Sequence, residues 1–160
     1  MDPGTFHYRH DDGLGGRCRL FLAQDEAKGG WTKGQLADFL ACATGLENLS
    51  IYGGFCCPLR TEHFLRKATW RCLTTLSLTH TIFYQEELLA FLRRHSATLK
   101  NLSLFDVGVR NGSWKAVLTG MKFSLSLQSI DVYDLHESND DRYGTDVFVP
   151  VAAVQYKVTS

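Results

Sequence analysis

The pattern L-x-x-L-x-L recurs along this chain at near-constant spacing, and that confines it to a fold in which one unit stacks on the next. Leu46-Glu-Asn-Leu49-Ser-Ile51 is followed by Leu73-Thr-Thr-Leu76-Ser-Leu78, then by Leu99-Lys-Asn-Leu102-Ser-Leu104 and Leu127-Gln-Ser-Ile130-Asp-Val132. The starts lie 27, 26 and 28 residues apart. A weaker fifth copy, Arg17-Cys-Arg-Leu20-Phe-Leu22, begins 29 residues before Leu46 and keeps two of the three apolar positions, Leu20 and Leu22 matching Leu49 and Ile51.

Two periodicities describe the unit. Leu49 and Ile51 alternate with Ser50 and Tyr52, as in a strand with one buried face. Between the copies the period lengthens to that of a helix. Trp114, Val117, Leu118 and Met121 fall at i, i+3, i+4 and i+7, and Leu88, Leu89 and Leu92 form a similar stripe. Leu36, Phe39 and Leu40, and then Phe64, Leu65 and Ala68, do the same in the earlier intervals. Thr32 with Gln35 has the spacing of a capping box, and Thr61 and Ser113 are N-cap candidates. Each unit thus reads as a strand of about three or four residues, a turn, a helix and a return loop. Such a strand cannot bury its apolar face alone, whereas stacked copies bury a continuous core. The expected fold is α/β: a short solenoid of right-handed βα repeats, with a parallel sheet on the concave face and helices on the convex face.

At 160 residues the chain has room for one domain with a substantial core. Residues 1–16 read as a disordered, glycine-rich segment, 17–135 as a solenoid of four to five repeats, and 136–160 as a loop and capping segment. In that last stretch Pro150 suits either the first position of a closing helix, with Val151, Val154 and Val158 on one face, or an edge strand. Seventeen Lys and Arg balance seventeen Asp and Glu, which disfavours nucleic acid or an anionic membrane as partner. The dyads Arg66-Lys67 and Arg93-Arg94 fall near helix ends, where the dipole favours cations. No apolar run reaches the roughly 18 residues of a membrane span, and the N-terminus lacks the apolar core of a signal peptide. The cysteines Cys18, Cys42, Cys56, Cys57 and Cys72 are an odd set, so reduced thiols in the cytoplasm or nucleus are expected, and those other than the adjacent Cys56-Cys57 pair suit the role of small buried hydrophobes.

These residues resemble the leucine-rich-repeat superfamily, in particular its cysteine-containing subtype, L-x-x-L-x-L-x-x-C-x-x-I-T-D-x-x-L-x-x-L, common in F-box proteins. The copy from Leu73 fits the apolar frame at Leu73, Leu76 and Leu78 and then at Leu88, Leu89 and Leu92, with Thr81 at the cysteine position. The stretches from Glu86 to Leu102 and from Gly112 to Leu118 are similar to repeat regions of filamentous-fungal F-box-type proteins. The resemblance spans about residues 17 to 135. It implies substrate recognition for a ubiquitin ligase, with a Skp-type adaptor and a cullin as partners if a longer form carries an F-box. Two departures stand out. The ninth position reads Gly54, Thr81, Val107 and Leu135 instead of a Cys or Asn ladder, so turns there need other partners for their backbone groups. The sixteen residues before Arg17 are too few for a three-helix F-box, so a repeat-only relative or part of a longer product is expected.

The implied binding surface consists of the strand residues that alternate with the leucines. They are Arg19 and Phe21; Asn48, Ser50 and Tyr52; Thr75, Ser77 and Thr79; Asn101, Ser103 and Phe105; Ser129, Asp131 and Tyr133. The third column reads Tyr52, Thr79, Phe105, Tyr133, with Phe21 offset at the weak end. Aromatics are enriched at binding hot spots. They also have high strand propensity, so half-covered packing residues explain the column equally well.

Catalytic and metal signals are thin. His7 and His10 make an H-x-x-H and Cys56-Cys57 are adjacent, but no second ligand pair completes a zinc site. Asp11-Asp12-Gly13 and the stretch from Asn139 to Gly144 read as turns, with Pro150 where an EF-hand needs glutamate. The glycines from Gly13 to Gly16 do not make a dinucleotide-binding fingerprint. No cofactor, metal ligand or catalytic residue is assigned. A non-catalytic protein-interaction module is the leading expectation. A cysteine- or histidine-dependent enzyme or metal-binding regulator is the alternative.

Overall fold

The computed structural model describes residues 16–21, 40, 42–53, 59–60, 65, 68–138 and 149–151. The strands are β1 (Gly16–Phe21), β2 (Leu46–Tyr52), β3 (Leu59–Arg60), β4 (Thr75–Tyr84), β5 (Asn101–Arg110), β6 (Ser129–Ser138) and β7 (Val149–Val151). Helix α1 (Gln85–Arg94) joins β4 to β5, and α2 (Trp114–Ser124) joins β5 to β6. The fold is α/β. One sheet runs in the order β1-β2-β4-β5-β6-β7, with β3 alongside β4. Every pairing is parallel except the last, between β6 and β7.

Spacing in the sequence becomes register in the sheet. Leu49, Leu76, Leu102 and Ile130 pair in turn across β2, β4, β5 and β6, as do Ile51, Leu78, Leu104 and Val132. Those rows, apart from the partly buried Ile130 that packs against them, join the buried helix residues Leu88, Leu89, Phe91, Leu92, Trp114, Val117 and Met121 in one core cluster. The helices therefore cover the leucine side of the sheet. Leu118 packs against the cluster from its edge, and Leu40, Leu65 and Ala68 are buried in it. Ser113 caps α2 as its sequence predicts, its hydroxyl oxygen accepting from the Ala116 N–H at 3.2 Å. Acidic Glu86 and Glu87 open α1 and basic Arg93 and Arg94 close it, matching the helix dipole.

Four expectations need correction. First, β4, β5 and β6 are ten residues long, not three or four. Each runs on through a bend at His80, Asp106 and Asp134, whose φ values are 51°, 49° and 50°. Pairing skips the bend: Thr79 meets Phe105 and Thr81 meets Val107, while Phe105 meets Tyr133 and Val107 meets Leu135. The inserted residue shifts the alternation, so Thr81, Val107 and Leu135 point inward three residues after Leu78, Leu104 and Val132. Second, at the ninth position Thr81, Val107 and Leu135 are therefore strand, not turn, and the sheet ladder pairs their backbones. Third, β1 is a fifth strand, but Cys18 pairs with Leu49 and Leu20 with Ile51, two residues away from the sequence alignment. Fourth, Cys42 and Cys72 are exposed free thiols and not core residues. They lie in or beside turns, where no neighbour closes over them.

Of the two readings of Pro150, the edge strand is the one found: it pairs with His136. At a strand bordering only one neighbour, a missing N–H is tolerated. The Thr32–Gln35 box, Thr61, Leu36, Phe39, Phe64, Arg66, Lys67, Gly54, Val154 and Val158 lie outside the described residues. So do the side chains of Cys18, Cys56 and Cys57, the His7–His10 pair, the Asp11–Asp12 turn and residues 139–148. Among the described residues no helix is long and apolar enough to cross a membrane.

Candidate functional site

On the sheet face away from the helices, the alternating residues line up in three columns. Asn48, Thr75, Asn101 and Ser129 form the first, Ser50, Ser77, Ser103 and Asp131 the second, and Tyr52, Thr79, Phe105 and Tyr133 the third. The backbone of β1 extends all three, Arg17 pairing with Asn48, Arg19 with Ser50 and Phe21 with Tyr52. Phe21 is thus in register with the aromatic column and not offset from it. The first column is tied sideways: Asn101 Nδ2 donates to Thr75 Oγ1 at 3.3 Å, and Ser129 Oγ donates to Asn101 Oδ1 at 3.0 Å.

The third column rises toward β5 and β6. Phe105 is 40% exposed and Tyr133 is 38% exposed, although their rings stack on each other at 5.3 Å with planes 9° apart. Parallel pairing sets these two residues directly opposite, and a stacked pair keeps its outer surfaces in water. His80 meets Phe105 edge-on from β4, with centroids 6.0 Å apart.

The bend column adds what the alternation alone does not show. The Asp106 carboxylate receives His80 Nδ1 on one oxygen and His136 Nε2 on the other, the latter at 2.7 Å. One aspartate on β5 thereby ties β4 to β6. His136 stands opposite Gly108, two residues beyond Asp106. A carboxylate that orients imidazoles is an element of acid–base chemistry and of metal sites. Here both oxygens are taken up by the rings, and among the described residues no three His, Cys, Asp or Glu groups are disposed to hold a metal ion. The signal for this cluster lay in the alignment of the repeats, where Gly53, His80, Asp106 and Asp134 share one position. Gly, His, Asp and Asn are the residues most tolerant of positive φ.

Deeper in the core, His95 follows the last turn of α1 and is almost fully buried. Its Nε2 accepts from the Trp70 backbone N–H at 3.0 Å, and its Nδ1 donates to the Phe91 carbonyl at 2.9 Å. Trp70 N–H can only donate and Phe91 O only accept, so the ring is neutral with its proton on Nδ1. Burial holds its pKa below the usual imidazole value, the nearby Arg94 charge pushes the same way, and the Phe91 bond opposes them. Trp70 stacks on this ring and donates its own Nε1–H to Leu40 O at 2.9 Å. His95 is a packing residue.

Comparison with protein-family models, with curated proteins and with solved structures finds no match for this chain.

Proposed function

We propose that this chain is a leucine-rich-repeat module that binds another protein on the strand-lined face opposite its helices and catalyses nothing itself. The observation that carries the reading is the Phe105–Tyr133 pair. Two large aromatics stand exposed side by side on the sheet face opposite the inward leucine rows. Stacked aromatics offer large contact area with little conformational entropy left to lose. The regular spacing of the strands supports the repeat class, because register-matched units generate such a face as they accumulate. Within this reading the chain serves as the substrate-recognition region of an F-box-type ubiquitin ligase, a role supported by the resemblance of its repeats.

The test is affinity purification of the protein tagged at its own locus, beside a Phe105→Ala/Tyr133→Ala double variant of the same chain. Loss of companion proteins by a variant that keeps the wild-type melting temperature is the expected result. Companions retained by the folded variant place binding elsewhere. A Skp-type adaptor and a cullin among the companions support the ligase role, and their absence leaves a free-standing interaction module.

A further inference from the structure

We infer that the partner presents an arginine to the Phe105–Tyr133 pair, its guanidinium stacking on the rings and bonding to the carboxylates of Asp131 and Asp134; this rests on the protein-binding reading above. One ring face of Tyr133 is covered by Phe105, so its 38% exposure belongs to the other face and the rim. A planar group laid there continues the stack. On the same strand, Asp131 lies two residues before Tyr133, on the same face of the sheet and exposed. Asp134 follows Tyr133 at the bend. Among the described residues neither carboxylate makes an ion pair, whereas Asp106 is already shared by His80 and His136.

The charge of this corner is one-signed. The outward columns of β2, β4, β5 and β6 hold no Lys or Arg. On β5 and its approach, Lys100 and Arg110 each lie five residues from Phe105, roughly 16 Å along an extended strand, and Arg110 is buried. Among the described residues the outward columns of β2, β4, β5 and β6 offer no Lys or Arg to compensate these two carboxylates, which disfavours anionic ligands such as a phosphopeptide. A cation is favoured, and the stacked rings choose among cations. Guanidinium is planar, weakly hydrated and forked, so it stacks on an aromatic face while its edge donates to carboxylates. An ammonium is compact, strongly hydrated and without a face to stack.

The experiment is selection of a displayed random twelve-residue peptide library on the full chain, followed by titration of the selected peptides as synthetic molecules. Enrichment of arginine at one position is expected. Replacing that arginine by lysine or citrulline should weaken binding about tenfold, as should Asp131→Asn/Asp134→Asn in the protein. Affinity should fall with added salt. The melting temperature of the double Asn variant shows that it is folded, and Asp131→Glu/Asp134→Glu should keep most of the binding. Peptides without arginine that still depend on Phe105 and Tyr133 overturn the arginine inference and leave the binding face standing. Peptides indifferent to all four residues, or a selection that yields none, overturn both.

Discussion

Leu102→Ala tests the stacking directly. Leu102 is 1% exposed and pairs with Leu76 on one side and Ile130 on the other, so it sits in the middle of an inward row. Truncation removes three buried carbons, about 2.4 kcal/mol at roughly 0.8 kcal/mol each. The gap adds about 24 cal/mol for each Å³ its neighbours fail to fill. Those neighbours are held by the strand ladder and by α1 and α2, so little collapse is expected, and the total falls between about 2.4 and 5 kcal/mol. For a chain of this size that lowers the melting temperature by roughly 5–20 °C. Thermal and urea unfolding followed by circular dichroism measure it, with an unchanged urea slope as the sign that only stability moved. Ser103→Ala, one residue along and facing outward, should stay within about 0.5 kcal/mol of wild type. A Leu102→Ala protein melting within about 2 °C of wild type would refute the claim that this row is packed through.

Two further outcomes follow from hydrogen bonds inside the fold. His95 is held neutral, with its folded pKa below that of the unfolded chain, so the unfolded state takes up the proton first. Its contribution is fully present above about pH 6.5 and is lost as pH falls below that value. Wild type should therefore lose more stability between pH 7.5 and 5.5 than His95→Gln, and parallel pH profiles for the two would count against the neutral assignment. Gly112→Ala drives a Cβ into Gln85 Oε1 and Gln85 Cβ, closer than real Cβ contacts come, and Oε1 accepts from the Ser113 N–H at the start of α2. Moving Gln85 aside breaks that bond, so a loss of about 1–3 kcal/mol is expected by urea unfolding. A neutral Gly112→Ala would mean that Gln85 holds nothing.

The inward rows, α1 and α2, and the outward columns are legible because each follows from a period: two for the strands, 3.6 for the helices. The length of β4 to β6 is not, since no period announces an αL residue inside a strand. Only after the copies are aligned does the column of Gly53, His80, Asp106 and Asp134 show residues that tolerate positive φ. The register of β1 does not follow from the repeat pattern, which matches Leu20 and Leu22, whereas the sheet takes Cys18 and Leu20 into the paired rows. The exposure of the cysteines is hidden for a different reason. Burial is a statistical tendency of the residue type, and Cys42 and Cys72 fall where the chain turns at the surface. The tie between His80, Asp106 and His136 joins positions 26 and 30 residues apart, a separation meaningful only once parallel register is known.

The bend links the site to the core. Holding a non-glycine residue at positive φ costs on the order of 1–2 kcal/mol, and β4, β5 and β6 all do so at the same place. The inserted residue keeps Thr81, Val107 and Leu135 facing the helices, extending the core by one row. It also leaves His80 and Asp106 beside Phe105, with Asp134 beside Tyr133. The two kinds of position therefore differ in what they tolerate. A substitution in the outward columns, such as at Ser103 or Tyr133, touches neither the leucine rows nor the bend, so this face can vary at little cost in stability. A substitution at Asp106 cannot be separated in that way. Its carboxylate holds His80 and His136, its backbone makes the turn inward to Val107, and its ring neighbour is half of the exposed stack.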